Sequence, residues 1–215
     1  AIVWLSSNEK RLYRKSTDGT GTEEIIYQGD NVGSATSWSP DGKYLLINWN
    51  PPDRGADISY LPMQFRNSES GLKPVSLAET KFIEVGGVFS PDGRWVAFQS
   101  NESQRNEIYI VPFPGPGGKR QVSTGGGISP RWSRNGKELF FIGPDRKLKV
   151  AEIGVRGSGI DPGQVRTLAV TVPAGRGSNF DISPDGQRIL VVSEPPNAGT
   201  IPLTLIQNWT LSLRK

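Results

Sequence analysis

The chain has no cysteine and no histidine, and these two absences exclude more chemistry than any residue present points to. Without thiols there is no disulfide, no cysteine-rich zinc site and no thiolate nucleophile. Without imidazole there is no Ser-His-Asp triad within the chain and no histidine base. No apolar run approaches the roughly 18 residues of a membrane-spanning helix, and Ala1 opens no charged-then-apolar leader, so neither a signal peptide nor direct membrane insertion is expected of this stretch. A 3.6-residue apolar period nowhere lasts three turns, so helix is expected to be nearly absent. Strong charge is missing too. The 25 basic and 21 acidic residues leave a net +4, scattered over turns and edges apart from Lys10-Arg11 with Arg14-Lys15 and the terminal Arg214-Lys215. That distribution argues against nucleic acid as a partner.

What the chain has is glycine and proline, 26 and 17 of its 215 residues, and they punctuate short apolar strands. Phe89 to Pro112 holds one complete unit. Ser90-Pro91-Asp92-Gly93 reads as a tight turn: proline presets φ, aspartate bonds nearby backbone, and glycine takes the positive φ. Trp95 to Phe98 and Ile108 to Val111 are strands on either side of a polar connection, and Val85 to Phe89 is a third. The turn recurs after Trp38, Trp132 and Ile182, as Ser39-Pro40-Asp41-Gly42, Ser133-Arg134-Asn135-Gly136 and Ser183-Pro184-Asp185-Gly186, at spacings of 51, 43 and 50 residues. About four strands per repeat of roughly 40 to 50 residues is the pattern of a propeller blade. The expectation is an all-β single domain over 1–215, a β-propeller of four-stranded antiparallel blades, with complete blades at 34–80, 81–125, 126–172 and 173–215. Residues 1–33 read as a partial blade lacking its innermost strand. Ala1 is therefore expected to be a cut point in a longer polypeptide, with five blades visible here.

A large apolar residue before SPDG and a basic residue, an apolar strand ending in Ser-Asn, and an "EIY" or "DIS" strand together resemble the WD40-like (PD40) repeat of the TolB-type propeller. The segments LYRKSTDGTG (12–21), 90–127 and PLTLIQNWTLSLRK (202–215) are similar to the C-terminal propellers of bacterial membrane-anchored serine/threonine kinases and winged-helix regulators. The resemblance spans nearly the whole chain. It implies six blades in the intact parent and an extracytoplasmic, periplasmic-side binding module of a bacterial signalling protein, with a protein or small polar ligand as partner.

Candidate site residues divide by their place in the repeat. Asp41, Asp92 and Asp185 have a sufficient role in closing their turns, and no Asp-x-Asp-x-Asp-Gly calcium spacing occurs. Trp38, Phe89, Trp132 and Ile182 recur where neighbouring blades pack, and Tyr13, Tyr60 and Tyr109 recur on third strands. Residues alternating with the first group are expected on the channel side: Glu79, Lys81, Glu84, Arg131, Arg176, Asn179 and Asp181, beside glycines at 86–87, 125–127, 175 and 177. Mixed charges on one funnel suit a polar ligand, or they form ion pairs that only line a solvated channel. Neither a G-x-S-x-G elbow nor a phosphate-binding loop is present. The segment Pro112 to Pro116 reads as a strand-ending turn before a polyproline ligand. No catalytic residue, metal site or cofactor is assigned. Two other readings stay open: the gating propeller of a prolyl-oligopeptidase-type peptidase, and a histidine-free propeller enzyme using channel carboxylates such as Glu84 and Asp181.

Overall fold

The recurring turn dictates the fold, and a serine holds the turn. In the computed structural model, which describes residues 2–18, 20–65, 72–156, 159–174 and 180–192 and the strand at 203–207, all four turns share one set of bonds. Ser39, Ser90, Ser133 and Ser183 donate their hydroxyls to the side-chain oxygens of Asp41, Asp92, Asn135 and Asp185 at 2.5–2.8 Å. The same oxygens accept the backbone N–H of Lys43, Arg94, Lys137 and Gln187 at 2.9–3.1 Å. Each serine oxygen in turn accepts the N–H five residues on, from Tyr44, Trp95, Glu138 or Arg188, at 2.9–3.0 Å. Gly42, Gly93, Gly136 and Gly186 take φ of 68–71°, the left-handed conformation a side chain resists. Asn135 presents the same acceptor oxygen as an aspartate, so the third turn keeps its geometry without the charge.

Each turn joins the first two strands of an antiparallel sheet, and among the described residues five sheets follow in chain order. The first holds three strands: β1 (Ile2–Ser6), β2 (Arg11–Lys15) and β3 (Glu24–Gln28). The next three hold four strands each: β4 (Val32–Trp38) to β7 (Val75–Ala78) through β5 (Tyr44–Trp49) and β6 (Asp57–Pro62); β8 (Glu84–Phe89), β9 (Trp95–Ser100), β10 (Glu107–Pro112) and β11 (Arg120–Gln121); β12 (Ile128–Trp132), β13 (Glu138–Ile142), β14 (Lys147–Arg156) and β15 (Gly159–Thr171). The fifth is β16 (Phe180–Ile182), β17 (Arg188–Val192) and β18 (Leu203–Gln207). The stretch Leu211 to Arg214, which the sequence offers as an outer strand for this sheet, lies outside the described residues. Strand β15 is long because it pairs with an extended β14 out to Arg156 and Gly159.

Sheets stack face to face, and among the described residues four apolar seams form the core. Alternation sends Val96 and Phe98 of β9 into the seam with the second sheet, and Trp95 and Ala97 into the seam with the fourth. In β13, Leu139 and Phe141 face back while Phe140 and Ile142 face forward. Both faces of the middle sheets are therefore dry, which is why their strands read as unbroken apolar runs rather than as alternating ones. Trp38, Phe89, Trp132 and Ile182 each lodge in the seam with the preceding sheet.

Ser90 is 2% exposed, so Ser90→Ala strands the buried N–H of Trp95 and should lower the unfolding free energy by about 1–3 kcal/mol in urea titration. Asp92→Asn, which copies the third turn, should cost less than about 1 kcal/mol. The carboxyls of Asp41 and Asp185 are held below the usual range chiefly by their serine hydroxyls. Burial pushes Asp92 up, but Ser90 and Arg94 outweigh it and leave this carboxyl low as well. A carboxyl lowered in the folded chain contributes stability that is complete above its unfolded pKa and lost as pH falls through its folded one. The D41N/D92N/D185N triple variant should therefore lose less stability than the parent between about pH 5 and about pH 2, read as urea midpoints.

Candidate functional site

Because each face of a middle sheet is committed to a seam, strict alternation along an inner strand leads from one seam to the next and not to the axis. The inner strands β4, β8 and β12 reach open space where their pairing slips. Register breaks fall between Val32 and Ser37, between Val85 and Val88, and between Ile128 and Arg131. Those three bulges line one cavity of about 520 Å³ at the unpaired edges of the inner strands, shared by the second, third and fourth sheets. Bulges turn side chains out of the ladder, and here they turn out Ser34, Thr36, Ser129 and Arg131.

Each bulge on β8 and β12 leaves a backbone N–H without a ladder partner, and the preceding sheet supplies one. Asn48 Oδ1 on β5 accepts the Gly86 N–H at 3.1 Å, and Gln99 Oε1 on β9 accepts the Ser129 N–H at 3.3 Å. Gly86 and Ser129 occupy matching places 43 residues apart, both at positive φ, 72° and 56°. Two further bonds cross the seams: the Phe89 N–H to Ser37 Oγ at 3.2 Å, and the Trp132 indole N–H to the Val88 carbonyl at 3.2 Å. The places matching Asn48 and Gln99 in the first and fourth sheets hold Leu5 and Ile142, which have no such oxygen.

Arg131 is the cation among the described lining residues of this cavity and also borders a second one, of about 220 Å³, with Asp181 on β16. Its Nη1 donates to the Pro130 carbonyl at 2.8 Å, and it makes no ion pair among the described residues. Burial pulls the guanidinium below the usual arginine range, an effect the Asp181 charge partly offsets.

The seven expected channel residues thus separate. Arg131 and Asp181 come together. Arg176 and Asn179 lie outside the described residues. Glu79, Lys81 and Glu84 line neither of these cavities; they sit on the β7–β8 connection and at its end. Glu79 is exposed and paired with Arg54, and the Lys81 ammonium stands 5.3 Å from the Phe82 ring centroid. Glu84 is fully buried, its Oε1 accepting the hydroxyls of Thr80 at 2.7 Å and Ser100 at 3.0 Å, while Oε2 has no hydrogen-bond partner. It lies before the bulge, where β8 is still in register with Ser100. Alternation counted back from Phe89 does not register that slip. Asn48, Gln99 and Ser129 were not legible as site residues, although the recurrence of a side-chain amide near the end of two second strands was their signal. Phe113 anchors the proline-rich segment, its ring 4.8–5.0 Å from those of Phe89, Tyr44 and Tyr60.

No family model matches the chain. Among curated relatives, Tol-Pal system protein TolB from Anaeromyxobacter dehalogenans is 26% identical over 122 residues, which are 56% of this chain and 26% of the relative. The chain thus spans about a quarter of that relative's length. The crystal structure of TolB from Acinetobacter baumannii superposes with a TM-score of 0.66 at 19% identity, over 97% of this chain and 51% of the other. An oligogalacturonate lyase in complex with manganese superposes with 0.60 at 17% identity, over 94% and 56%. The fold is a TolB-like β-propeller, and these structures share that fold across different chemistries.

Gln99→Leu removes one of the two cross-seam amides. Exchange of the Ser129 amide proton should then quicken by about tenfold, the equivalent of one net hydrogen bond, while that of Gly86 keeps its rate; amide exchange followed by NMR reads both.

Proposed function

We propose that this propeller is a non-catalytic binding module, the C-terminal sensing or interaction part of a bacterial signalling protein, which takes a segment of a protein partner or a small polar ligand into the cavity at the three bulges. One observation carries the reading: the three inner strands are opened at the same level, and the opened places present polar side chains and one arginine. A continuous ladder would have been simpler to fold. The likeness to a protein of the Tol-Pal system supports a place within a multi-component assembly and, with the resemblance in the repeats, an extracytoplasmic location. Residues 1–215 act in this reading as one propeller unit.

The enzymatic alternatives draw less support. Glu84 and Asp181, the carboxylates a histidine-free mechanism would pair, are not brought together: the first is sealed beneath Thr80 and Ser100, and the second borders the smaller cavity. The likeness to the lyase is one of fold. Binding that is to signal must favour one of two states of whatever the propeller is attached to.

The test places a photo-crosslinking benzoylphenylalanine at Ser34, which is exposed to the cavity, and at Lys43, on a turn away from it. Irradiation in bacterial cells producing the parent protein should give adducts of discrete mass from position 34, resolved by intact-mass spectrometry as protein or small molecule. Equal adducts from both positions, or none from position 34, would overturn the reading.

A further inference from the structure

The polar side chains of the cavity at the bulges, Ser34, Thr36, Asn48, Gln99, Ser129 and Arg131, can all donate hydrogen bonds, and the seams decide which way the two amides face. A backbone N–H can be satisfied only by an acceptor, so Asn48 and Gln99 must turn their amide oxygens to Gly86 and Ser129. Their NH2 groups are thereby the ends left for other partners. Asn48 Nδ2 donates to Ser34 Oγ at 3.0 Å, which frees the Ser34 hydroxyl hydrogen to point elsewhere. Among the described residues, the Gln99 NH2 and the Ser129 hydroxyl have no hydrogen-bond partner, and Thr36 Oγ1 is buried without one. Arg131 keeps its guanidinium N–H groups beyond the single bond to Pro130, with no ion pair among the described residues. No aspartate or glutamate stands among the described lining residues. A concave surface whose polar side chains offer donors around a cation with no ion pair among the described residues is complementary to an anion.

Ser129 adds an independent observation. It stands at φ 56°, where the preceding sheet places Gly86 at 72°. A side chain in that conformation costs about 1 kcal/mol that glycine would avoid, and strain of this kind collects at functional positions. The hydroxyl is thus carried into the cavity on strained backbone.

We infer that this cavity binds a carboxylate, which Arg131 takes by charge-assisted hydrogen bonds while Ser129, Gln99 and Thr36 donate to its remaining lone pairs. Asp181, on the far side of Arg131, disfavours a doubly charged group such as phosphate and leaves room for a single negative charge. The carboxylate is that of an acidic side chain on a polypeptide or of a small organic acid. This inference rests on the reading that a ligand enters the cavity, and names its chemistry.

The experiment titrates the full chain with two acid and amide twins, propionate against propionamide and acetyl-Gly-Glu-Gly-amide against its Gln counterpart, following backbone amide shifts by NMR. The acids are expected to shift Gly86, Ser129 and Arg131 saturably and the amides to bind about tenfold or more weakly, the ratio a charged hydrogen bond commands. Tighter binding of the peptide than of propionate assigns the carboxylate to a polypeptide, and equal binding assigns it to a small acid; both support the inference. Arg131→Gln should weaken the acids by about tenfold or more. Ser129→Gly should weaken them severalfold while leaving the urea midpoint equal or higher, a combination that a merely structural serine would not give. Since it installs the residue used at the matching place, it carries the test even where Arg131→Gln fails to fold. Equal binding of an acid and its amide, or no saturable shift at about 20 mM, a ceiling well above millimolar affinity, overturns the inference. Crosslinked adducts at Ser34 without acid selectivity would overturn it and leave the binding reading standing.

Discussion

Every middle sheet of this chain is apolar on both faces, and a sheet of that kind has no stable existence in water by itself. Burying Leu46, Ile58, Val96 and Phe98 in one seam requires a neighbour on that side, and burying Leu139 and Phe141 requires one on the other. The constraint passes from sheet to sheet, so the stack is cooperative through its seams rather than through a central core. The turns serve that stacking. By fixing each hairpin with a serine and an acceptor oxygen at the same places, they set the first two strands of successive sheets in the same register, and the large residue before each serine arrives in the seam with the preceding sheet.

A sheet whose faces are both dry has only its edge left for contact with solvent or ligand. Inner strands with perfect ladders would present a rim of backbone with side chains directed into the seams. The bulges convert part of that rim into a surface of side chains, and they create backbone N–H groups that need acceptors. Asn48 and Gln99 meet that need from the sheet before. The polarity of the cavity follows from how the seams are tied, since an amide that gives its oxygen to the protein keeps its hydrogens for whatever enters.

Much of the architecture was legible in the sequence because the turn chemistry is local. Proline, aspartate and glycine at Pro91, Asp92 and Gly93 act within four residues, and their spacing counts the sheets. The seam residues Trp38, Phe89, Trp132 and Ile182 were legible for the same reason, being tied to the turn by one residue. The site was less so. Arg131 and Asp181 were expected on the channel side and border one small cavity together; Glu84 was expected there too from period-2 alternation, but the slip between Val85 and Val88 is set by how β8 meets β9, not by β8 alone. Ser129 looked like an ordinary strand residue, since nothing local announces a positive φ at a serine. The pairing of Gln99 with the Ser129 backbone links residues 30 apart through a seam, and only the folded chain brings them together.

The two amide ties share an asymmetry with a consequence for how such chains evolve. On one side of the seam the tie depends on a side chain, Asn48 or Gln99; on the other it meets backbone, which every sequence possesses. A blade bearing the amide can therefore be set beside any blade that opens its inner strand at the same level, whatever residues that neighbour carries. Duplication, loss or exchange of whole blades at the gene level leaves this tie intact without a matching second mutation, and the residues of the opened strand stay free to diverge toward new ligands.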